Sequence, residues 1–369
     1  MIHSAPLPRL EIDSAKLCHN AERIVQHCRK AGIRVNAVVK GCAAHPVAAK
    51  AMLDGGCSSL GSSRLLQLKQ LAGSFPDTER LLLRIPTLRE LPELLKWADV
   101  SLQSDTATLI QLDEEARRQG VTHRVILMQD MGDIREGFWR QDELVEQADF
   151  VEKRLTGLRL EGLGTNLGCY GSIKPTRQKM EALVASAELI EERIGRTLDI
   201  ISGGATSSYP LVLQEQMPPR VNHLRIGEGI LLSRDLKEYY HCKLPDMHDD
   251  AFQLVAEIVE VKRKPSHPVG ELFVDAFGNT PEYHDIGERL RAIVAIGRQD
   301  FGDHSKLIPL DPGVSLVGAS SDHLIVDVED YAGLHDGRIL QTGETLRFSL
   351  YYPALLYLSL STEIHMVPV

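Results

Sequence analysis

The stretch Val35-Asn36-Ala37-Val38-Val39-Lys40-Gly41-Cys42 ends a run of small and β-branched residues on a lysine. A strand apolar on both faces is buried on both sides, as in a parallel sheet or barrel. An ammonium at the end of such a strand is costly unless paired or used. Desolvation depresses a lysine's pKa, and the neutral amine is then a competent nucleophile. Two readings of Lys40 stand at this point, a Schiff base with a carbonyl compound and an amine that snorkels to solvent. Gly41 and the small residues after it allow a sharp turn that leaves the amine facing a cavity.

Polar residues recur at the ends of later strand-like runs. Arg84 lies on the third, Gln129-Asp130-Met131-Gly132 and Arg135 follow the fifth, and Thr165-Asn166 ends the sixth. Ser202-Gly203-Gly204-Ala205-Thr206-Ser207-Ser208 follows the seventh and Arg225-Ile226-Gly227-Glu228 the eighth. Glycines let backbone N–H groups converge and hydroxyls donate further bonds, so two such neighbouring loops suit a phosphate. Each loop alone is also ordinary turn chemistry. A phosphate site and a buried lysine in one domain point to pyridoxal 5′-phosphate held as an imine.

The elements that must position these residues alternate. Arg9–Asp13 reads as a short strand, and a helix-period segment from Leu17 runs up to Gly32. A second helix is expected from Pro46 to about Leu53, closed by Gly55-Gly56. Strand-like runs follow at Ser59–Ser62, Leu81–Ile85, Val100–Gln103, Arg124–Gln129, Arg159–Thr165, Leu198–Ser202 and His223–Ile226. With the Lys40 strand these make a (β/α)8 TIM barrel, whose chemistry sits at the C-terminal strand ends. A doubly wound open sheet is the rival, but no Gly-x-Gly-x-x-Gly turn follows the first strand. From about Tyr239 the pattern changes to an all-β domain. Strands are expected at Ala251–Val261, Ala292–Ile296, Leu324–Val328 and Thr345–Tyr352, divided by turns such as Lys264-Pro265-Ser266 and Asp311-Pro312-Gly313. The expected domains are an N-terminal strand, 1–13, associated with the β domain; a barrel, 14–238; and a C-terminal β domain, 239–369.

The chain has 369 residues, 43% of them hydrophobic and 25% charged, with a net charge of −10. That balance argues against a nucleic-acid surface and favours a small-molecule substrate. No apolar run is long enough to span a membrane, and Met1–Pro6 does not read as the start of a signal peptide, so a cytoplasmic protein is expected. Six scattered cysteines form no Cys-x-x-Cys pair, and no metal site is expected among the histidines. Cys42 and Cys169 stand apart because each follows a strand end.

Several segments resemble the fold-type III pyridoxal-phosphate enzymes, and within them the alanine/ornithine racemase group. Leu10-Glu11-Ile12-Asp13 with Asn20, and Ala37-Val38-Val39-Lys40, are similar to the opening strand and helix and to the cofactor-lysine strand of that group. Met128–Gly137 resembles its Asp-Thr-Gly-Met-x-Arg-x-Gly segment, and His223–Gly227 its Arg-x-Gly. Gly164–Leu167, Ile201–Gly204, Asn222–Glu228, Ile296–Asp300 and Gly318–His323 resemble segments of ornithine racemases. The resemblance implies that Lys40 holds the cofactor and serves as one of two proton-transfer bases. It implies that Arg225 faces the pyridine nitrogen, where a guanidinium restrains electron withdrawal, and a barrel-end salt bridge is the alternative. Asn166 would lie beside the ring, and Ser202, Gly203, Gly204, Thr206, Ser207 and Gly227 would line the phosphate. Tyr352, or its neighbour Tyr351, would approach the phosphate from the last β strand. Arg135 would support the substrate carboxylate, or else form a structural ion pair within its loop.

Two departures from the group bear on mechanism. Where alanine racemases carry the tyrosine that acts as the opposite base, this chain reads Gly297-Arg298-Gln299-Asp300, and an arginine is a poor base. The second proton carrier is then expected among Ser321, Asp322 and His323, which are otherwise simply a turn. The aromatic residue beside the cofactor lysine is replaced by small residues around Ala43 and Ala44, which leaves room for a longer substrate. Asp322 matches the aspartate that related decarboxylases use for a side-chain ammonium. The implied function is racemisation of ornithine or another basic amino acid. The implied assembly is a homodimer in which the β domain of one subunit completes the other's active site. Decarboxylation or retro-aldol cleavage with the same cofactor, and a non-catalytic pyridoxal-phosphate carrier, are the alternatives.

Overall fold

The computed structural model describes residues 6–280 and 282–369, so most of the stretch read for a signal peptide lies outside the described residues. In chain order the strands are β1 (Arg9–Ile12), β2 (Arg34–Val38), β3 (Ser59–Ser62), β4 (Arg80–Leu82), β5 (Val100–Gln103), β6 (His123–Met128), β7 (Leu158–Gly164), β8 (Ile200–Ser202) and β9 (His223–Ile226). They continue with β10 (Phe252–Pro265), β11 (Glu288–Val294), β12 (Leu307–Pro309), β13 (Ser315–Ala319), β14 (Leu324–Asp327), β15 (Thr345–Leu350) and β16 (His365–Pro368). The chain divides into two units: Ala15–His248, and the described residues up to Ser14 together with Asp249–Val369.

In the first unit β2 to β9 close a parallel barrel in sequence order, β9 pairing back onto β2 with Arg225 opposite Asn36. The helices between the strands are α1 (Ser14–Lys30), α2 (Pro46–Asp54), α3 (Leu65–Ser74), α4 (Leu91–Trp97), α5 (Thr106–Gln119), α6 (Gln141–Arg154), α7 (Arg177–Ile194) and α8 (Tyr209–Leu213). After β9 come α9 (Glu228–Leu231) and α10 (Arg234–Glu238). The sequence marks their ends. Asp105 caps α5 by accepting the Thr108 N–H at 2.7 Å, and Gly120 closes it at φ +71°. Helix α7 buries Met180, Leu183, Ala187 and Ile190, a helix-period stripe.

The barrel strands alternate sharply. Val100, Leu102, Ile126 and Met128 join one apolar cluster with Leu81 and Ile200, while opposite pleats carry polar groups bonded across strands. Asn36 donates to Ser59 at 2.8 Å, Gln103 to Ser101 at 2.9 Å, and Ser101 and His123 share a 2.9 Å bond. Both pleats are buried, so these polar groups depend on one another for partners.

In the second unit the main sheet runs β12-β15-β10-β11-β14-β13, and β1 joins it between β10 and β16. A buried ion network fixes β1: Arg9 meets Glu11 at 2.8 Å and Arg347 reaches Glu11 at 2.7 Å. Helices α11 (Arg298–Phe301), α12 (Tyr331–Leu334) and α13 (Tyr352–Leu358) interrupt this unit.

Several local expectations need correction. The first barrel strand stops at Val38, and Lys40 opens a 3-10 turn, Lys40–Cys42, instead of ending the strand. Arg84 lies beyond β4, which ends at Leu82. Lys264 and Pro265 belong to β10, because a proline at a strand's last residue removes no needed ladder bond. Tyr352 is the first residue of α13, not part of the last strand, and Pro353 behind it fits a helix's first turn. Strands β12, β13 and β16 were too short or too irregular to read.

Close backbone packing of β7 on β8 requires Gly162, where an added Cβ would lie 2.0 Å from the Ile200 carbonyl oxygen. Gly162→Ala is expected to cost about 3 kcal/mol or more of stability, read by urea unfolding; a loss below about 1 kcal/mol would contradict this packing.

Candidate active site

The turn after β2 brings the Lys40 amine to the C-terminal mouth of the barrel. It is the alanines, not Gly41, that take the strained conformations: Ala43 and Ala44 lie at φ +48° and +55°. Non-glycine residues in that region cost about 1–2 kcal/mol each, and the fully buried Ala44 is held there by packing. The Lys40 side chain is half-buried, and among the described residues its amine has no hydrogen bond or ion pair. Burial pulls the amine below the ordinary lysine range. Among neighbouring charges Cys169 and Glu136 oppose that shift, and the Arg135 and Arg225 guanidiniums reinforce it.

Arg225 projects from β9 and is buried. One of its nitrogens donates to the Ser202 hydroxyl and another to the Thr165 carbonyl at 2.7 Å, so one side chain links the ends of β7, β8 and β9. Ser202 in turn shares a 2.8 Å bond with His223 Nδ1. No carboxylate pairs with Arg225 among the described residues, which removes the salt-bridge alternative. Burial lowers its pKa to about 10, so it stays cationic at neutral pH.

Beside it the Ser202–Ser208 loop packs so closely that side chains would not fit at its glycines. A Cβ on Gly203 would meet Val221 at 2.6 Å, one on Gly204, at φ +115°, would meet Ser208 Oγ at 2.7 Å, and one on Gly227 would meet the Val38 carbonyl at 3.1 Å. Thr206 Oγ1 accepts the Gly229 N–H at 3.2 Å, and Ser207 donates to the Leu167 carbonyl at 2.7 Å. Ser208 Oγ is buried with no hydrogen-bond partner. It belongs to the loop read as a phosphate site, though it was not itself singled out.

Two further loops meet at the same mouth. The loop after β6 carries Asp133, a buried carboxylate that accepts N–H bonds from Gly168 (3.0 Å), Cys169 (3.3 Å), Tyr170 (3.0 Å) and Ile173 (3.4 Å) in the loop after β7. Burial works against its ionisation, yet these N–H groups hold it below the usual carboxylate range. Arg135 pairs with Glu136 and donates through Nη1 to Cys169 Sγ at 2.9 Å. The Asp133 clamp has no signature in the sequence, because its donors are backbone N–H groups.

The barrel unit thus assembles Lys40, Arg135, Asn166, Ser202, Gly203, Gly204, Thr206, Arg225 and Gly227 around one end. Ser321, Asp322, His323 and Tyr352 belong to the β unit. There Asp322 accepts from Gln299 Nε2 at 3.1 Å and from Ser321 Oγ at 2.6 Å, while Ser320 Oγ accepts the His323 N–H at 3.1 Å. A Cβ on Gly297 would meet the Ser321 carbonyl oxygen at 1.9 Å, so a glycine is required for this turn to pack on the start of α11.

The family model for the alanine racemase N-terminal domain matches residues 12–235. The chain belongs to this family. Across 350 residues it is 39% identical to an ornithine racemase of Acetoanaerobium sticklandii, covering 95% of this chain and 96% of the relative. It is 35% identical to a lysine racemase of Thermotoga maritima over 349 residues, 95% of each chain. The fold is that of an alanine racemase from a D-cycloserine-producing Streptomyces lavendulae, with TM-score 0.75 and 17% identity over 99% of this chain and 98% of that one. A D-threonine aldolase from Filomicrobium marinum shares it with TM-score 0.72 and 16% identity over 96% and 88%. The family and the barrel with its β domain, expected from the resemblance, are thereby established.

The buried rings give a pH test. Burial pulls His123 and His223 down to about 3, whereas an unfolded imidazole protonates near 6.5. Between those values the unfolded chain binds more protons, so both rings withdraw stability as pH falls through that window. The buried Glu228, raised to about 8 by burial and by Asp235, acts in the opposite sense. The direct readout is therefore the rings themselves: their NMR resonances are expected to stay unshifted from pH 7.5 to 5, and a midpoint near 6.5 would contradict the burial.

Proposed function

We propose that this protein is a pyridoxal 5′-phosphate-dependent racemase of basic amino acids, acting on ornithine or lysine. The observation that carries the reading is the unpartnered, partly desolvated Lys40 amine beside the buried Arg225 cation, at the mouth of a barrel whose relatives racemise ornithine and lysine.

The residues present fit the coenzyme. Gly203, Gly204 and Gly227 pack too closely on their neighbours for a Cβ, so only backbone stands at these positions of the two loops, and the orphaned Ser208 hydroxyl supplies a donor beside Gly204. Ser202, Thr206 and these backbone groups would hold the phosphate, Arg225 the ring nitrogen, and Asn166 the ring's side. When bound, pyridoxal phosphate supplies the aldehyde for Lys40 and the electron sink that acidifies the substrate α-carbon.

The chain's own groups do the rest. Burial pulls the Lys40 amine below the ordinary lysine range, which raises the share of neutral amine able to accept a proton. Arg225 stays cationic and cannot give up a full proton, which limits side reactions. Arg135, fixed by Glu136, offers a guanidinium edge to the substrate carboxylate. We infer that the protein works as a homodimer, with Asp322 of a second copy receiving the side-chain ammonium and Tyr352 supporting the phosphate; the family supports this assembly.

Incubation with each enantiomer of ornithine, lysine and alanine, followed by chiral chromatography, tests the reading. Interconversion of the basic amino acids is expected, with Lys40→Ala lowering it by about 10³-fold or more. Carbon dioxide or an aldehyde without loss of optical activity would replace the racemase by a lyase. Asp322→Ala is expected to lower kcat/KM for ornithine about 30-fold more than for alanine, a desolvated ion pair being worth about 2–4 kcal/mol. An equal loss for both would remove Asp322 from specificity.

A further inference from the structure

We propose that Cys169 is the second proton carrier, working against Lys40 across the barrel mouth; this rests on the racemase reading above.

The glycine- and serine-rich loops follow β8 and β9, so a ligand held there is flanked by β2 on one side and β7 on the other. Lys40 follows β2 and Cys169 follows β7. The two groups therefore flank the same ligand, and Cys169 lies close enough to be among the charges that influence Lys40. Within the barrel unit Arg135, Glu136 and Arg225 are the other charges that influence Lys40, and none of the three is suited to shuttle a proton. The two arginines stay protonated, and Glu136 is engaged by Arg135.

The thiol is held in place by built contacts. Arg135 Nη1 donates to Cys169 Sγ at 2.9 Å, and the backbone N–H groups of residues 168, 169, 170 and 173 converge on the Asp133 carboxylate. Gly171 is required for that closeness, because a Cβ there would lie 2.6 Å from the Asp133 carbonyl oxygen. Cys28 and Cys42 are buried, and burial pushes both thiols up to about 12, which leaves them inert as acids or bases. Cys169 is exposed and unoxidised.

The step balances without an oxidant or reductant. The α-carbon of one enantiomer gives its proton to one group, the bonding pair staying with the substrate. The other group's proton then re-forms the C–H bond from the opposite side. In the reverse direction the sulfur and the nitrogen exchange roles.

The test uses the holoenzyme in D₂O with each enantiomer of ornithine supplied separately. In Cys169→Ala and Cys169→Ser, racemisation is expected to fall by about 10²-fold or more, while α-deuteration of one enantiomer persists with its configuration retained. A second readout needs no variant: iodoacetamide labelling of Cys169 in the wild type, quantified by peptide mass, is expected to slow about tenfold with saturating ornithine, with Cys18 unaffected. Wild-type racemisation rates in the variants, equal loss of exchange from both enantiomers, or labelling that ornithine does not slow would each overturn the assignment. A wild type that racemises no amino acid would instead refute the functional reading on which it rests.

Discussion

A cation buried without an anion is the constraint on which this barrel mouth depends. Arg225 is removed from water and, among the described residues, its guanidinium hydrogen-bonds only to a hydroxyl and a backbone carbonyl. An uncompensated buried charge costs several kcal/mol, so every group that reaches it is fixed by the need to solvate it. Thr165 must present its carbonyl, and Ser202 must accept from Arg225 while sharing its other bond with His223. The ends of three consecutive strands are thereby locked to one guanidinium. The same positive field favours the neutral form of the Lys40 amine.

Around that centre the chain leaves out side chains where backbone must approach. Gly162 lets β7 lie against β8, and Gly203, Gly204 and Gly227 let the loops after β8 and β9 pack closely on their neighbours. Strain is accepted immediately after the lysine, where Ala43 and Ala44 occupy left-handed conformations and turn the chain out of the barrel within a few residues. Backbone strain of this kind is stored where a side chain must be aimed, and here the side chain is Lys40. The clamp between Asp133 and the loop after β7 serves the same end from the far side, tying two loops of the mouth together through one carboxylate.

Much of this was legible in the sequence, for physical reasons. The barrel could be read because each strand is a short apolar run bounded by helix-period segments, and the runs at Ser59–Ser62, Val100–Gln103 and His223–Ile226 coincide with the strands of the structure. Lys40 and the Ser202–Ser208 loop stood out because a lysine after an apolar run and consecutive glycines with hydroxyls are uncommon chemistry. What could not be read depends on distance. Asp133 looks like any loop aspartate until four N–H groups from 35 to 40 residues further on converge on it. Cys169 stands close to Arg135 only through that fold. Tyr352 was misplaced because Tyr-Tyr at the end of an apolar strand reads as more strand, and the Pro353 that starts a helix gave the only contrary signal.

The account stands or falls on which amine carries the coenzyme. Borohydride reduction of the holoenzyme, followed by digestion and peptide mass analysis, tests this directly. The account predicts a phosphopyridoxyl group on Lys40 and on no other lysine. That mass on a different residue, or an unmodified Lys40 peptide from protein that contains the coenzyme, would contradict it.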